Sequence, residues 1–490
     1  LQDAAVNGAA ARRDWVWWSL LAAAVLSRLV WVIWIHPPHE HVFSDMAHYV
    51  HRAGLVAAFD VEIGDRMMVW QAWGTHVLLA IPMLLLGKGE AALELAGLMW
   101  AGFSAATVML GYRLAQRTLP GPDDGPHPGA IAIGLALLAW VPLLSQTGFF
   151  VSETPYACAL LATTLGVVRV VQEGRGAPAA GLWGAFAFAL RPQSAVFFLL
   201  LALAWAYERL RFGTRRLFFV PRLRPEPGVL QARPARQVAQ AFWLLAPLLV
   251  IVAISMVRVR VHTGRFGGVA ENASMNLTAG RCHNIVTRSW SSEADLASSL
   301  ETGSPQPDRR VSLPGFRALG REGPDHPLAL RPALGGEAID LVGYIGDREV
   351  HREIRRRCYE ATGVAGQIHY TVTNVALLWV IARPWPESSD QWAPELLPMA
   401  VRGRQLAAAV APLSLLGMIL ALVRWARAAA PNRESRLAGG AVCALQLLSL
   451  LIVAGVFFGD PRLRVPYDPY ALILAVLALG LVLKRFRARA

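Results

Sequence analysis

The chain has 490 residues, 55% of them apolar and 17% charged, and 47 basic side chains against 34 acidic ones leave a net charge of +13. Apolar runs separated by short arginine-rich connections exclude an ordinary soluble domain, and they assign the basic charge to membrane topology rather than to nucleic acid. What remains is a polytopic helical membrane protein, because helices satisfy their own backbone groups in lipid.

The first apolar segment, Trp15 to Ile35, is long enough at about 1.5 Å per residue to cross a hydrocarbon core of about 30 Å. It is too long for a removed signal peptide and lacks a clear small-residue cleavage site, so it is read as a retained span. Further spans are expected at about 91–112, 129–148, 154–171, 181–190, 192–207, 241–257, 405–423, 438–457 and 469–483, about ten crossings in all. The stretch 181–190 is short and ends at Arg191-Pro192, which predicts a turn inside the membrane or at its outer edge. The apolar stretch 69–86 is read as interfacial or re-entrant, since counting it as a crossing inverts the later basic clusters.

Those clusters are almost wholly arginine, Lys88 and Lys484 being the only lysines. Arg12 and Arg13, Arg113 and Arg117, the eight arginines between Arg209 and Arg236, the group from Arg424 to Arg436, and the C-terminal Lys484 to Arg489 can all face the cytoplasm together. Both termini are then cytoplasmic. The chain divides into an N-terminal membrane module, 1–257, whose first outer loop is 36–90; an extracytoplasmic domain, 258–404; and C-terminal spans in 405–490. Residues Tyr370 to Arg383 are apolar enough for a helix lying on the membrane. Cys158 and Cys443 fall within spans, whereas Cys282 and Cys358 both fall in the outer domain, where an oxidising compartment permits a disulfide.

The candidate site residues lie on the outer side. Asp45 follows the first span and opens a short amphipathic stretch in which His48, Tyr49 and Arg52 share its face by three- and four-residue spacing. Its blander role is helix capping, by Ser44 or by Asp45 itself. Glu153 starts another helix and either complements its dipole or serves the site. Arg191, beside a span, needs an anion or a wet cavity, because a guanidinium there costs about 2.5–3.5 kcal/mol on insertion scales; the alternatives are a structural partner such as Glu153 and a phosphate, which matches its fork of donors at least as well. Arg462 and Arg464 sit on the face opposite to the one the positive-inside rule favours, which argues for a phosphate clamp over a solvated loop. His36, His39, His41, His48 and His51 around Asp45 match no compact zinc spacing, so no cofactor is expected, with a divalent metal as the lesser alternative.

At these residues the chain resembles the GT-C superfamily of integral-membrane glycosyltransferases. The motifs are Ser44-Asp45-Met46-Ala47-His48-Tyr49 in the first outer loop with the apolar segment 69–86 behind it, Ser152-Glu153-Thr154-Pro155-Tyr156, Leu190-Arg191-Pro192, and Arg464-Val465-Pro466-Tyr467-Asp468-Pro469. They cover about 15–210 and 459–483. The adjacent Asp-Glu pair of protein O-mannosyltransferases is absent, Ser44 preceding Asp45, and so is the lysine-diproline pattern of lipid A aminoarabinose transferases.

The resemblance implies an all-α GT-C-like helical bundle with a mixed extracytoplasmic domain, in the inner membrane of a bacterium. It implies transfer of a sugar from a polyprenyl-phosphate carrier to a glycan, lipid or protein hydroxyl on the extracytoplasmic face. Asp45 is then the expected general base, with Glu153, His48 and Tyr49 as further contacts and Arg191, Arg462 and Arg464 as phosphate ligands; one base acting by direct displacement inverts the anomeric centre. The alternatives are an O-antigen-type polymerase or ligase and a lipid-linked-sugar transporter or flippase.

Overall fold

A computed structural model describes residues 2–121, 127–212, 233–282, 286–290, 293–302, 309–312, 338–342, 346–380, 385–389, 393–427 and 435–487. The chain runs through α1 (Gln2–Val30), α2 (Asp45–Ala57), α3 (Gly74–Leu86), α4 (Glu90–Thr118), α5 (Pro128–Leu138), α6 (Val141–Thr147), α7 (Glu153–Glu173), α8 (Ala177–Leu190), α9 (Ala195–Phe212) and α10 (Arg233–Thr263). A small mixed region follows: α11 (Ala273–Arg281), β1 (Val286–Trp290), α12 (Glu293–Thr302), β2 (Arg309–Ser312), β3 (Ala338–Val342) and α13 (Arg348–Leu377). The last elements are α14 (Leu397–Arg427), α15 (Ser435–Val456), α16 (Pro461–Arg464) and α17 (Asp468–Arg487). The strands form one sheet ordered β2-β1-β3, antiparallel between β1 and β2 and parallel between β1 and β3.

All ten expected spans coincide with helices. Among the described residues seven helices are long and apolar enough to cross a membrane, which makes the chain an integral membrane protein, and α5 with α6 forms an eighth as a pair bent by 46°. The other two, α8 and the Pro192–Glu208 stretch leading through α9, are apolar but shorter, so the count by length and composition is seven or eight rather than ten. Helix α3 has 13 residues, roughly 20 Å of rise, and is too short to cross.

Two boundaries differ from expectation. Helix α10 continues past residue 258 to Thr263, and its last turns bury Ser255, Val259 and His262 on one face at four- and three-residue spacing. The helix expected from Tyr370 begins at Arg348 and runs through a left-handed Gly363 to Leu377; its earlier half is laced by Arg356 with Glu353 and Glu360 at three- and four-residue spacing. Residues 381–383 of that expected helix lie outside the described residues, as do four of the eight arginines between Arg209 and Arg236.

The core is centred on α7, which is buried along nearly its whole length between α4, α8 and α15. Small residues permit close approach: Gly166 faces Ala180 of α8, and Gly181 of α8 lies against the carbonyls of Trp243 and Leu244 in α10. Gly74 matters for the site. A Cβ there meets the Ala189 carbonyl carbon at 2.7 Å, so glycine alone lets the start of α3 abut the end of α8, one residue before Arg191.

The α5–α6 break leaves helix-terminal carbonyls in an apolar setting, and Arg28 of α1 satisfies them. Its Nη1 donates to the Leu138 carbonyl at 2.7 Å, its Nη2 to the Leu137 carbonyl at 3.0 Å and its Nε to Ser104 at 3.3 Å. In the mixed region Cys282 and Cys358 are joined by a disulfide with Cα atoms 5.6 Å apart, tying the end of α11 to α13, while Cys158 and Cys443 are free and buried.

We expect Leu300→Cys to react with a membrane-impermeant thiol reagent on intact cells, and Leu230→Cys, which lies outside the described residues, to react only after permeabilisation. The reverse pattern would invert the topology read from the arginines.

Candidate functional site

The loop after the first apolar segment turns into α2 at Ser44, whose backbone has φ 48° and ψ −124°. A non-glycine residue held there costs about 1–3 kcal/mol, a strain that commonly accompanies a positioned functional side chain. The Ser44 side chain makes no cap bond, and Asp45, the first helical residue, reaches out of the helix instead of capping it. Its Oδ2 lies 3.6 Å from Nη1 of Arg462, with the carboxylate 35% exposed. Capping is therefore not what the loop geometry provides for.

Glu153 opens α7 with its carboxylate fully buried. Its Oε1 accepts from Nη1 of Arg191 at 2.7 Å and from Nε of Arg462, and its Oε2 accepts from Nη2 of Arg462 at 3.3 Å and from the Ser152 hydroxyl at 3.3 Å. Arg191 occupies the break after α8, and Arg462 lies in α16, a short turn whose Asp460 accepts the Arg462 backbone N–H at 2.7 Å. Three separate stretches thus meet at one acid, and Arg462 links a fourth through Asp45. The arrangement Asp45–Arg462–Glu153–Arg191 alternates in sign, leaving Asp45 as the member with the most open side chain among those ion pairs.

Tyr49 of α2 is buried beside this chain of charges. Burial, then the negative charges of Asp45 and Glu153, push its hydroxyl up to about 12, so it remains a neutral donor at any physiological pH. His48, expected on the same face, is exposed. A helix turns 100° per residue, so the i+3 position lies 60° from Asp45 and here falls on the solvent side.

Arg464 departs from expectation more plainly. Its Nε donates to Asp468 at 2.8 Å and its Nη1 to the Leu378 carbonyl at 3.0 Å, and Trp140 Nε1 donates to the same Asp468 at 2.7 Å. Two residues past Arg462 in a helical turn, it is rotated about 200° away, into a buried contact between α17 and the end of α13.

A second basic group lies along α2. Arg52, seven residues or roughly 10 Å beyond Asp45, is buried; its guanidinium lies 5.3 Å from the Tyr49 ring, donating to the Met67 carbonyl at 2.9 Å and to Gln71. Arg258 of α10 donates to the adjacent Met68 carbonyl. Among the described residues Arg258 has no ion-pair partner, and its Nη1 is buried without a hydrogen-bond partner. Thr75 and His76 in the first turn of α3 are buried too; the Thr75 hydroxyl and His76 Nδ1 have no partner among the described residues, and His76 is within electrostatic reach of both guanidiniums. Two guanidiniums beside a helix N-terminus make a place for an anion that brings its own charge.

Sequence reasoning named Arg52 only as a companion of Asp45 and passed over Arg258. The signal for Arg258 was available, since it sits at the outer end of an apolar segment, the circumstance that singled out Arg191. The histidines of the first loop do not gather on Asp45: His36 stacks on His41 at 3.8 Å, and His39 lies 3.6 Å from Glu90. His39, Glu90 and Glu94 bring ligand-type atoms within 4.8 Å of one another at the start of α4, with both glutamates exposed. The cation beside Asp45 is the side chain of Arg462.

No family model matches the chain, and no curated protein matches it. Among solved structures the chain is similar to ArnT from Cupriavidus metallidurans in the apo state, at 13% identity and a TM-score of 0.37 over 96% of this chain and 77% of that one. It is similar also to the same protein bound to undecaprenyl phosphate, at 13% identity and a TM-score of 0.34 over 95% and 78%. No residue of this chain takes a role from that likeness.

Proposed function

We propose that the chain transfers a sugar from a polyprenyl-phosphate carrier to an acceptor hydroxyl at the extracytoplasmic face of a bacterial inner membrane. The observation that carries this is the placement, along α2, of a half-open carboxylate at Asp45 and a buried guanidinium at Arg52 with Tyr49 between them, and of Arg258 from α10 on the carbonyl next to the one Arg52 holds. Such a reaction needs a base for the acceptor and a cationic seat for the departing phosphate.

In the reaction the acceptor oxygen attacks the anomeric carbon while its proton passes to the Asp45 carboxylate. The bond from that carbon to the phosphate oxygen breaks, and its electron pair leaves with the carrier. The carrier phosphate goes from a singly charged diester to a monoester with one more negative charge, which Arg52 and Arg258 are placed to stabilise. Glu153 holds Arg462 and Arg191, and Arg462 in turn orients Asp45. Displacement from the side opposite the phosphate inverts the sugar. The sequence expectation that Arg191 and Arg462 hold the phosphate is modified accordingly, because the two guanidiniums already face two carboxylates, Arg191 that of Glu153 and Arg462 those of Glu153 and Asp45.

The test is direct. Wild-type protein in nanodiscs is expected to bind undecaprenyl phosphate and to turn over a member of a panel of undecaprenyl-phosphate sugars, while undecaprenyl-diphosphate glycans are not consumed. Arg258→Met keeps the stem and removes the charge, and is expected to weaken undecaprenyl phosphate binding by about 10- to 100-fold, the worth of one or two charge-assisted hydrogen bonds. Unchanged binding in Arg258→Met would remove this group from the phosphate site. Preference for the diphosphate glycan would instead favour a polymerase or ligase.

A further inference from the structure

We infer that Trp385, together with Phe43, forms the platform on which the transferred sugar ring stacks. The segment that carries Trp385 is held by several hydrogen bonds and an ion pair. Gln146 Nε2 donates to the Pro386 carbonyl at 2.8 Å, the Ser388 N–H donates to the Ser145 hydroxyl at 3.1 Å, and both carboxylate oxygens of Glu387 accept from Arg404 Nη1 at 2.9 Å. The Ser389 hydroxyl adds a bond to Glu387 at 2.8 Å. Residues Pro386 to Ser389 are all buried, whereas Trp385 is 36% exposed.

So much anchoring of a short irregular segment has one visible product, an indole fixed in place and left partly open. Its ring lies 4.9 Å from the Arg462 guanidinium, the same group whose Nη1 is 3.6 Å from Asp45. Phe43, two residues before Asp45, meets it edge to face at 5.9 Å. The open aromatic surface therefore borders the base. A pyranose or furanose ring presents a face of C–H groups that packs on an aromatic ring while its hydroxyls stay free for polar partners, and a planar, pre-positioned indole recognises it with little ordering cost. Arg462 would then do three things at once: seat Trp385, orient Asp45 and neutralise Glu153.

This inference rests on the proposed transfer reaction, and the experiment separates the two. Binding of undecaprenyl phosphate and of a panel of undecaprenyl-phosphate sugars is measured for wild type, Trp385→Ala and Trp385→Phe in nanodiscs. The wild type is expected to bind one sugar-bearing form more tightly than the bare carrier. Trp385→Ala is expected to lose about tenfold of that preference with undecaprenyl phosphate binding unchanged, and Trp385→Phe to retain most of it. Equal loss for both ligands, a preference that survives in Trp385→Ala, or no wild-type preference for any sugar-bearing form would overturn the platform. Absence of undecaprenyl phosphate binding in the wild type would overturn the transfer reaction itself.

Discussion

Replacing Asp45 by asparagine is expected to lower sugar transfer by about 10²- to 10⁴-fold, the usual contribution of a general base, while carrier binding and protein yield stay close to wild type. The fold has little to lose, because the carboxylate is 35% exposed and its contact with Arg462 is a single ion pair at 3.6 Å, of the kind worth about 0.2–1 kcal/mol. Asparagine also keeps the size of the side chain at the start of α2. Turnover per bound carrier, measured with the panel member the wild type consumes, is the quantity to follow. Full turnover in Asp45→Asn would show that another group takes the proton, and the role assigned to the half-open carboxylate would have to be abandoned.

Glu153→Ala is expected to fail differently, through the fold. Glu153 is the buried acid shared by Arg191 and Arg462, whose side chains are 18% and 14% exposed. Removing it strands two guanidiniums in a weakly polar place, a change that costs about 3–5 kcal/mol when a buried pair is broken on one side. Since Arg191 joins α8 to α9 and Arg462 precedes α17, the loosening should spread to the outer ends of both helix pairs. We expect a lower unfolding temperature in detergent and reduced yield, and Glu153→Gln, which keeps the shape and two hydrogen-bonding positions, should recover part of the stability. A Glu153→Ala protein as stable as wild type but inactive would instead mark Glu153 as a group acting directly on substrate.

Asp45 shows what sequence order can carry. The length of the apolar segment Trp15 to Ile35 places the acid at the membrane edge, and the strained turn that aims it is a local matter of Phe43, Ser44 and Asp45. The ten apolar segments were legible for the same reason, since helical spans are set by length and composition over consecutive residues. The shortness of the segment ending at Arg191-Pro192 was legible too, whereas the break between α5 and α6 needed a neighbour that makes it tolerable: Arg28 takes the carbonyls freed at Leu137 and Leu138.

The site divides in the same way. Arg191, Arg462 and Arg464 were found by one criterion, position, and position does not say which anion each meets. Glu153 claims the first two across 38 and 309 residues of chain, and Asp468 claims the third from four residues away. The pairing of Arg52 with Arg258 across more than two hundred residues, on the successive carbonyls of Met67 and Met68, has no trace in local pattern. By itself the sequence determined that this chain is a helical membrane protein with an acid and several arginines where membrane meets water. Tertiary structure decided which of those charges pair with one another, because ion pairing is settled by distances of a few ångströms between segments that only packing brings together.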